Sequence, residues 1–149
     1  MSYPKLNYPP IHLRARRGEA GRTEVFDRVR QRWLVLTPEE WVRRHVVAYL
    51  TKECGYQPEQ IAQEYSININ GMAQRADIVV LTAEAKPEVV VECKEPGIRL
   101  SRQTLAQVVR YNSILGCRYV VITNGLETLC YEYDGQSYTP IEALPSNRG

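Results

Sequence analysis

The sequence predicts an α/β domain in which a mixed central β-sheet is flanked by helices. Three observations carry this. Two segments open with helix-capping residues and continue with apolar residues at helical spacing. Short β-rich runs are joined by Asn70-Gly71 and Asp134-Gly135, dipeptides suited to tight hairpin turns. The passage from Val89 to Thr123 is strand, helix, strand, a right-handed crossover that would set two strands parallel in a mixed sheet. With 149 residues, 44% of them hydrophobic and 24% charged, the chain is long enough for one core and shows no second domain.

Taken in order, residues 1–22 are rich in Pro, Arg and Gly without a sustained period, and are expected to form an extended or mobile arm. Residues 23–149 are the expected single domain. Glu24 to Leu36 mixes Val, Phe, Trp and Leu with Arg and Gln, as one or two short strands would. Thr37 is a good N-cap, Pro38 suits the first helical position, and Glu40 completes a capping box. Val42, Val46, Tyr49 and Leu50 give that helix its apolar stripe, and Gly55 stops it. Tyr65, Ile67 and Ile69 alternate with polar residues up to the Asn-Gly turn, and Met72 to Leu81 returns. After a polar loop over 82–88, Val89 to Lys94 is apolar on both faces, as a central strand is. Pro96-Gly97 ends it. Ser101 caps a second helix with Leu105, Val108, Val109, Ile114 and Leu115 as its expected buried stripe, closed by Gly116. Tyr119 to Thr123 is another buried strand, and Leu126 to Tyr133 with Gln136 to Tyr138 form a last hairpin.

Composition excludes several classes. No apolar run approaches the ~20 residues of a membrane span, and the first ten residues lack the apolar core of a secretory signal. The four cysteines have no C-x-x-C pairing, so neither a zinc site nor a redox motif is indicated; reduced thiols in a cytoplasmic protein are expected. A net charge of +2 does not identify a nucleic-acid binder, although Arg14, Arg16, Arg17 and Arg22 cluster early, with Arg28, Arg30 and Arg32 behind them. His12 and His45 have no spacing for metal or triad chemistry.

The chemistry lies in charges set inside strands. Arg75-Ala76-Asp77-Ile78-Val79-Val80 and Val89-Val90-Val91-Glu92-Cys93-Lys94 carry two acids and a lysine in otherwise buried runs, where charged side chains are rare unless paired. Alternation places Val90, Glu92 and Lys94 on one face and Val89, Val91 and Cys93 on the other; paired strands would bring Asp77 to the Glu92 side. Carboxylates of this kind hold magnesium, which activates water and neutralises a phosphodiester. Asp77 and Glu92 would be ligands, the Cys93 backbone carbonyl a third, and Lys94 would orient or deprotonate the attacking water or stabilise developing charge. The competing structural account is a buried ion-pair network, in which one base faces two acids.

These residues carry a resemblance. Asp77, followed by Glu92-x-Lys94 on the next strand and then a helix, resembles the PD-(D/E)xK nuclease superfamily. Thr37-Pro38-Glu39-Glu40-Trp41-Val42-Arg43, Arg75-Ala76-Asp77-Ile78-Val79, Val91-Glu92-Cys93-Lys94, Gln107 with Arg110-Tyr111-Asn112, and Thr123-Asn124-Gly125-Leu126-Glu127 are similar to the N-terminal domain of type I restriction enzyme R subunits, over roughly residues 24–145. The resemblance implies a restriction-endonuclease-like core and a metal-dependent endonuclease using Mg2+ or Mn2+ on DNA. It implies that Lys94 is the catalytic lysine and that Gln107 and Tyr111 form a Q-x-x-x-Y pair supporting the site or touching phosphate. Glu40 is implied as the acidic residue of the first helix and a further metal ligand, beside its alternative as the capping-box residue. Ala76 stands where the superfamily has its proline. The 149 residues hold no helicase motor, and a stand-alone domain is expected, with a separately encoded helicase or other restriction subunit as its implied partner. A non-catalytic DNA-binding or adaptor module on the same fold is the alternative.

Overall fold

The computed structural model describes residues 3–147. Nine strands and two α-helices build two sheets. The first three strands, β1 (Ala15–Arg17), β2 (Thr23–Asp27) and β3 (Arg32–Val35), make a small antiparallel sheet. Helix α1 (Pro38–Lys52) follows, then β4 (Ile61–Ile69), β5 (Met72–Leu81), β6 (Pro87–Cys93), α2 (Arg102–Leu115), β7 (Tyr119–Thr123), β8 (Thr128–Tyr133) and β9 (Tyr138–Ile141). The strands β4 to β9 lie in sequence order in one sheet, antiparallel except for the parallel pair β6 and β7 that α2 connects. This is the expected mixed α/β architecture, with the crossover where the sequence places it.

Each helix covers one face. Val42, Val46 and Leu50 of α1 pack with Ile78, Val80, Val89, Val91 and Val121. Val108 and Tyr111 of α2 pack with Val79, Val90, Val120 and Ile122. The β6 residues 89 to 91 are fully buried, because this central strand is covered on both sides. The hairpin between β4 and β5 turns on Asn70 and Gly71, both at positive φ (52° and 80°), as a two-residue turn between twisted strands requires.

Two expectations are corrected. Over the described residues 3–22 the expected arm is not free: Ala15–Arg17 pair with β2, Leu6 is buried in the α1-side core, and Asn7 N–H donates to Gly125 O at 2.8 Å; residues 1 and 2 of that expected arm lie outside the described residues. Ile114 is 55% exposed, because α2 turns Thr104, Val108, Tyr111 and Asn112 to the sheet instead. Asn112 replaces apolar packing with hydrogen bonds, accepting from Cys117 N–H at 2.6 Å and donating to Cys117 O at 3.0 Å.

One irregularity positions the site. In β4, Ile61 belongs to the α1-side core while Ile67, of the same parity, belongs to the α2-side core. In β5, Ile78 and Ala76 differ in the same way. Both strands therefore roll over between these points. Glu64, at φ 52°, stands at the rollover opposite Asp77, and it is the one position where the β4–β5 pairing skips. A left-handed glutamate costs about 1–3 kcal/mol and persists only where its surroundings hold it; here Arg30 and Arg32 do, at 2.9 and 3.4 Å.

Candidate active site

The site forms at the C-terminal end of β6, where the ladder to β5 ends at Ile78–Val91. One step further in that register Asp77 faces Glu92, so the two carboxyl groups share a region instead of lying on opposite faces. Asp77 Oδ2 accepts the Cys93 backbone N–H at 2.7 Å, and its Oδ1 accepts from Arg43 Nη2 at 3.1 Å. In an extended strand the N–H and C=O of one residue point to the same edge, so the Cys93 carbonyl is directed toward Asp77 as well. The Lys94 N–H, by contrast, goes to Thr123 O on β7 at 2.8 Å.

Glu92 is 5% exposed, and burial pushes its carboxyl up to about 10; a hydrogen bond shared with Asp77 and the charge of Asp77 push the same way, while Lys94 opposes them. Lys94 Nζ lies 3.5 Å from Gln107 Oε1, and Gln107 Nε2 donates to the Tyr111 hydroxyl at 2.9 Å. Gln107 and Tyr111 sit four apart on α2, facing the sheet, so the helix presents this pair to the lysine. Burial raises the Tyr111 hydroxyl, with smaller effects from the nearby charges of Glu92 and Asp77.

The first helix contributes differently from its sequence reading. Thr37 caps the helix, accepting the Glu40 N–H at 3.0 Å, but the Glu40 carboxylate does not complete the expected capping box; it is held instead by Arg43 at 3.1 Å and Arg44 at 3.0 Å. The acid that reaches Asp77 is its neighbour Glu39, half-buried and close enough to share a hydrogen bond with that carboxyl. Burial, then the charge of Asp77, raises the Glu39 carboxyl. Arg43 Nη2 bridges Glu39 and Asp77 at 3.1 Å each. Glu39 and Arg43 escaped the sequence reading; their signal was the i,i+4 acid–arginine spacing on α1. The Cys93 thiol is buried on the α1 side and pushed well above its ordinary value, so only its carbonyl is a candidate donor.

Among the described residues, no three His, Cys, Asp or Glu side chains close into a metal cage. Magnesium does not need one. It is held by one or two carboxylates with waters and substrate phosphate completing its octahedron, and the two facing carboxyl groups with an adjacent backbone carbonyl are hard oxygen donors of that kind. Burial first, and then Asp77, draws the Glu92 and Glu39 carboxyls toward the protonated form.

The fold is nuclease-like, and the comparisons give its family. The chain belongs to the family of the type I restriction enzyme R protein N terminus (HSDR_N), whose model matches residues 38–145. It is similar to a structure described as a fragment of an HsdR subunit of a type I restriction enzyme from Vibrio vulnificus YJ016, at 25% identity and a TM-score of 0.59. That likeness covers 74% of this chain and 24% of the other, so the chain spans about a quarter of the fragment. No curated protein matches it.

Proposed function

We propose that this chain is a magnesium-dependent nuclease of the PD-(D/E)xK type that hydrolyses DNA phosphodiester bonds in a restriction setting, with DNA and other restriction subunits as its partners. The observation that supports it most is the meeting of Asp77, Glu92 and the Lys94–Gln107–Tyr111 chain at one strand end, inside a fold whose family is that of restriction R subunits. A bound Mg2+ or Mn2+ would supply a more acidic water and charge neutralisation at the phosphate. Asp77, Glu92 and the Cys93 carbonyl would hold it. Lys94, oriented by Gln107 through its carbonyl oxygen, would act on the attacking water or stabilise the developing negative charge. Gln107 is itself fixed by Tyr111, which limits the positions open to the ammonium group. Glu39 adds negative potential on the far side of Asp77, and Arg43 balances it. Four buried, free cysteines suit a reducing cytoplasmic setting.

The test is cleavage of plasmid and oligonucleotide DNA with Mg2+ or Mn2+ by the wild type and by Asp77→Asn, Glu92→Gln and Lys94→Met, beside manganese binding followed by electron paramagnetic resonance. Cutting that is lost in all three variants, with manganese binding lost only in the first two, supports the assignment. A wild type that binds DNA but cuts it with neither metal makes the chain an adaptor and overturns the proposal.

A further inference from the structure

The candidate site leaves the small N-terminal sheet without a role. This sheet lies wholly before the residues that define the family match. Its inward face carries Val25 and Asp27, both buried, with Asp27 paired to Arg44 of α1 at 2.9 Å. Alternation therefore sends Phe26 and Trp33, paired across β2 and β3, to the outward face. Arg16 lies opposite Glu24 on that same face, and Arg14 follows the same register opposite Phe26, its carbonyl accepting the Phe26 N–H at 2.9 Å. The Arg16 guanidinium stacks 4.1 Å above the Trp33 ring, and that of Arg14 lies 5.3 Å from both the Phe26 and Trp33 rings. Seven arginines against three acids fall between Arg14 and Arg32, and six of the seven are exposed, Arg30 being the half-buried one.

We propose that this outward face, centred on Arg14 and Arg16 stacked on Phe26 and Trp33, grips the phosphate backbone of duplex DNA and holds it beside the active site. A guanidinium lying on a ring has its plane fixed and its N–H edge turned outward, pre-organised for a phosphate. Glu24 engages Arg16 through Nε at 2.7 Å, which leaves the two terminal nitrogens for a ligand. The stacked guanidiniums cover the rings, so bases cannot stack on them without displacing the arginines; this favours duplex backbone over single strands. The sheet is anchored to the site by the β2–β3 turn, because Arg30 pairs with Glu64, the residue opposite Asp77. Placement beside a scissile bond rests on the nuclease reading; phosphate binding itself does not.

Fluorescence anisotropy of a labelled duplex tests it in EDTA, where cutting is silent, using the full chain across a salt series. Arg14→Gln/Arg16→Gln should weaken binding at least ~10-fold at moderate salt and make the log–log salt slope shallower by about two, roughly one per lost phosphate contact. Arg14→Lys/Arg16→Lys should retain most of the slope with intermediate affinity, and Arg118→Gln, an exposed arginine before β7, should bind as wild type. Circular dichroism melts confirm that each variant folds. Wild-type affinity and slope in the double glutamine variant would overturn the proposal, as would tighter binding of single strands that Trp33→Leu alone abolishes. If manganese-supported cutting persists while that variant binds normally, the surface falls and the active site stands. If neither metal supports cutting yet the variant binds weakly, the surface stands and the nuclease falls.

Discussion

Glu92→Gln is the sharpest probe of the site, because its effects on stability and on metal binding run in opposite directions. Burial holds the Glu92 carboxyl protonated at neutral pH, whereas in the unfolded chain it ionises around 4.5. The folded state then binds one more proton than the unfolded state over the interval between these values, so stability falls as pH rises through it. The loss at pH 7 depends only on the folded value lying above 7, not on how far above. Some 2.5 pH units at about 1.4 kcal/mol each give roughly 3.5 kcal/mol at pH 7, against under about 1 kcal/mol at pH 5. Glutamine has no such proton to hold, so the gap between the two proteins should widen between pH 5 and 7 by the difference of these figures, roughly 2.5 kcal/mol, or about 5–10 °C in melting midpoint for a chain of this size. Thermal denaturation in EDTA at pH 5, 7 and 8 measures it. Added Mn2+ should stabilise the wild type, since the cation takes the place of the proton, and leave the glutamine variant unmoved. Melting curves that shift in parallel with pH for both proteins would refute the reasoning.

Three further outcomes follow from single contacts. Asp77→Ala removes the acceptor of the Cys93 N–H and one partner of Arg43, so about 2–3 kcal/mol should be lost on urea denaturation, whereas Asp77→Asn keeps an acceptor and should lose about 1 kcal/mol; equal stability in all three proteins would contradict the assigned bonds. Burial lowers the His45 imidazole, which packs edge-on against Trp41, so the unfolded state binds the extra proton as pH drops through 6.5 and stability falls with it; His45→Gln should flatten that acid limb in equilibrium unfolding between pH 7 and 5. Gly125→Ala places a Cβ 2.7 Å from Leu6 Cδ2 at φ +86°, and should cost about 1–3 kcal/mol; a double-mutant cycle with Leu6→Ala should recover the steric part and leave the backbone part.

The elements that were legible in the sequence are those whose signals are local. Thr37 and Ser101 cap the helices, Asn70-Gly71 turns the hairpin, and the unbroken Val89–Val91 run marks a strand covered on both faces. What escaped depends on partners distant in the chain. The strand Ala15–Arg17 is exposed at every position and has no apolar alternation; it is held by pairing with β2 and by arginines stacked on Trp33, which sits on another strand. Asp77 and Glu92 could be named from their setting in apolar runs, and Gln107 and Tyr111 through the family motif. The choice between Glu39 and Glu40 could not be made this way. Adjacent helical residues differ by about 100° in direction, and which one meets the sheet is fixed by how α1 docks. The rollover at Glu64 left no trace either, because a glutamate at positive φ is set by Arg30 and Arg32, not by its own preference.

The arginine network explains why the site's unresolved charge falls on Glu92. Arg30, Arg43 and Arg44 pair with Asp27, Glu39, Glu40, Glu64 and Asp77 through contacts of 3.8 Å or less. Buried carboxylates of this kind are tolerated because each has a guanidinium, and removing one partner leaves a costly bare charge. Among the described residues Glu92 has no such ion pair; the charge of Asp77 acts against its ionisation, and the opposing positive charge is that of Lys94, whose ammonium is turned toward Gln107. Its proton therefore substitutes for a counter-ion. If Asp77 and Glu92 hold a divalent cation as proposed, Glu92 would give up that proton to do so, and metal affinity should rise with pH over the interval in which the metal-free fold loses stability. An arginine placed beside Glu92 would satisfy the fold equally well and close the site to metal. On the proposed reading, the lack of an arginine beside Glu92 among the described residues is what sets its carboxyl apart from those of the adjoining ion-pair network.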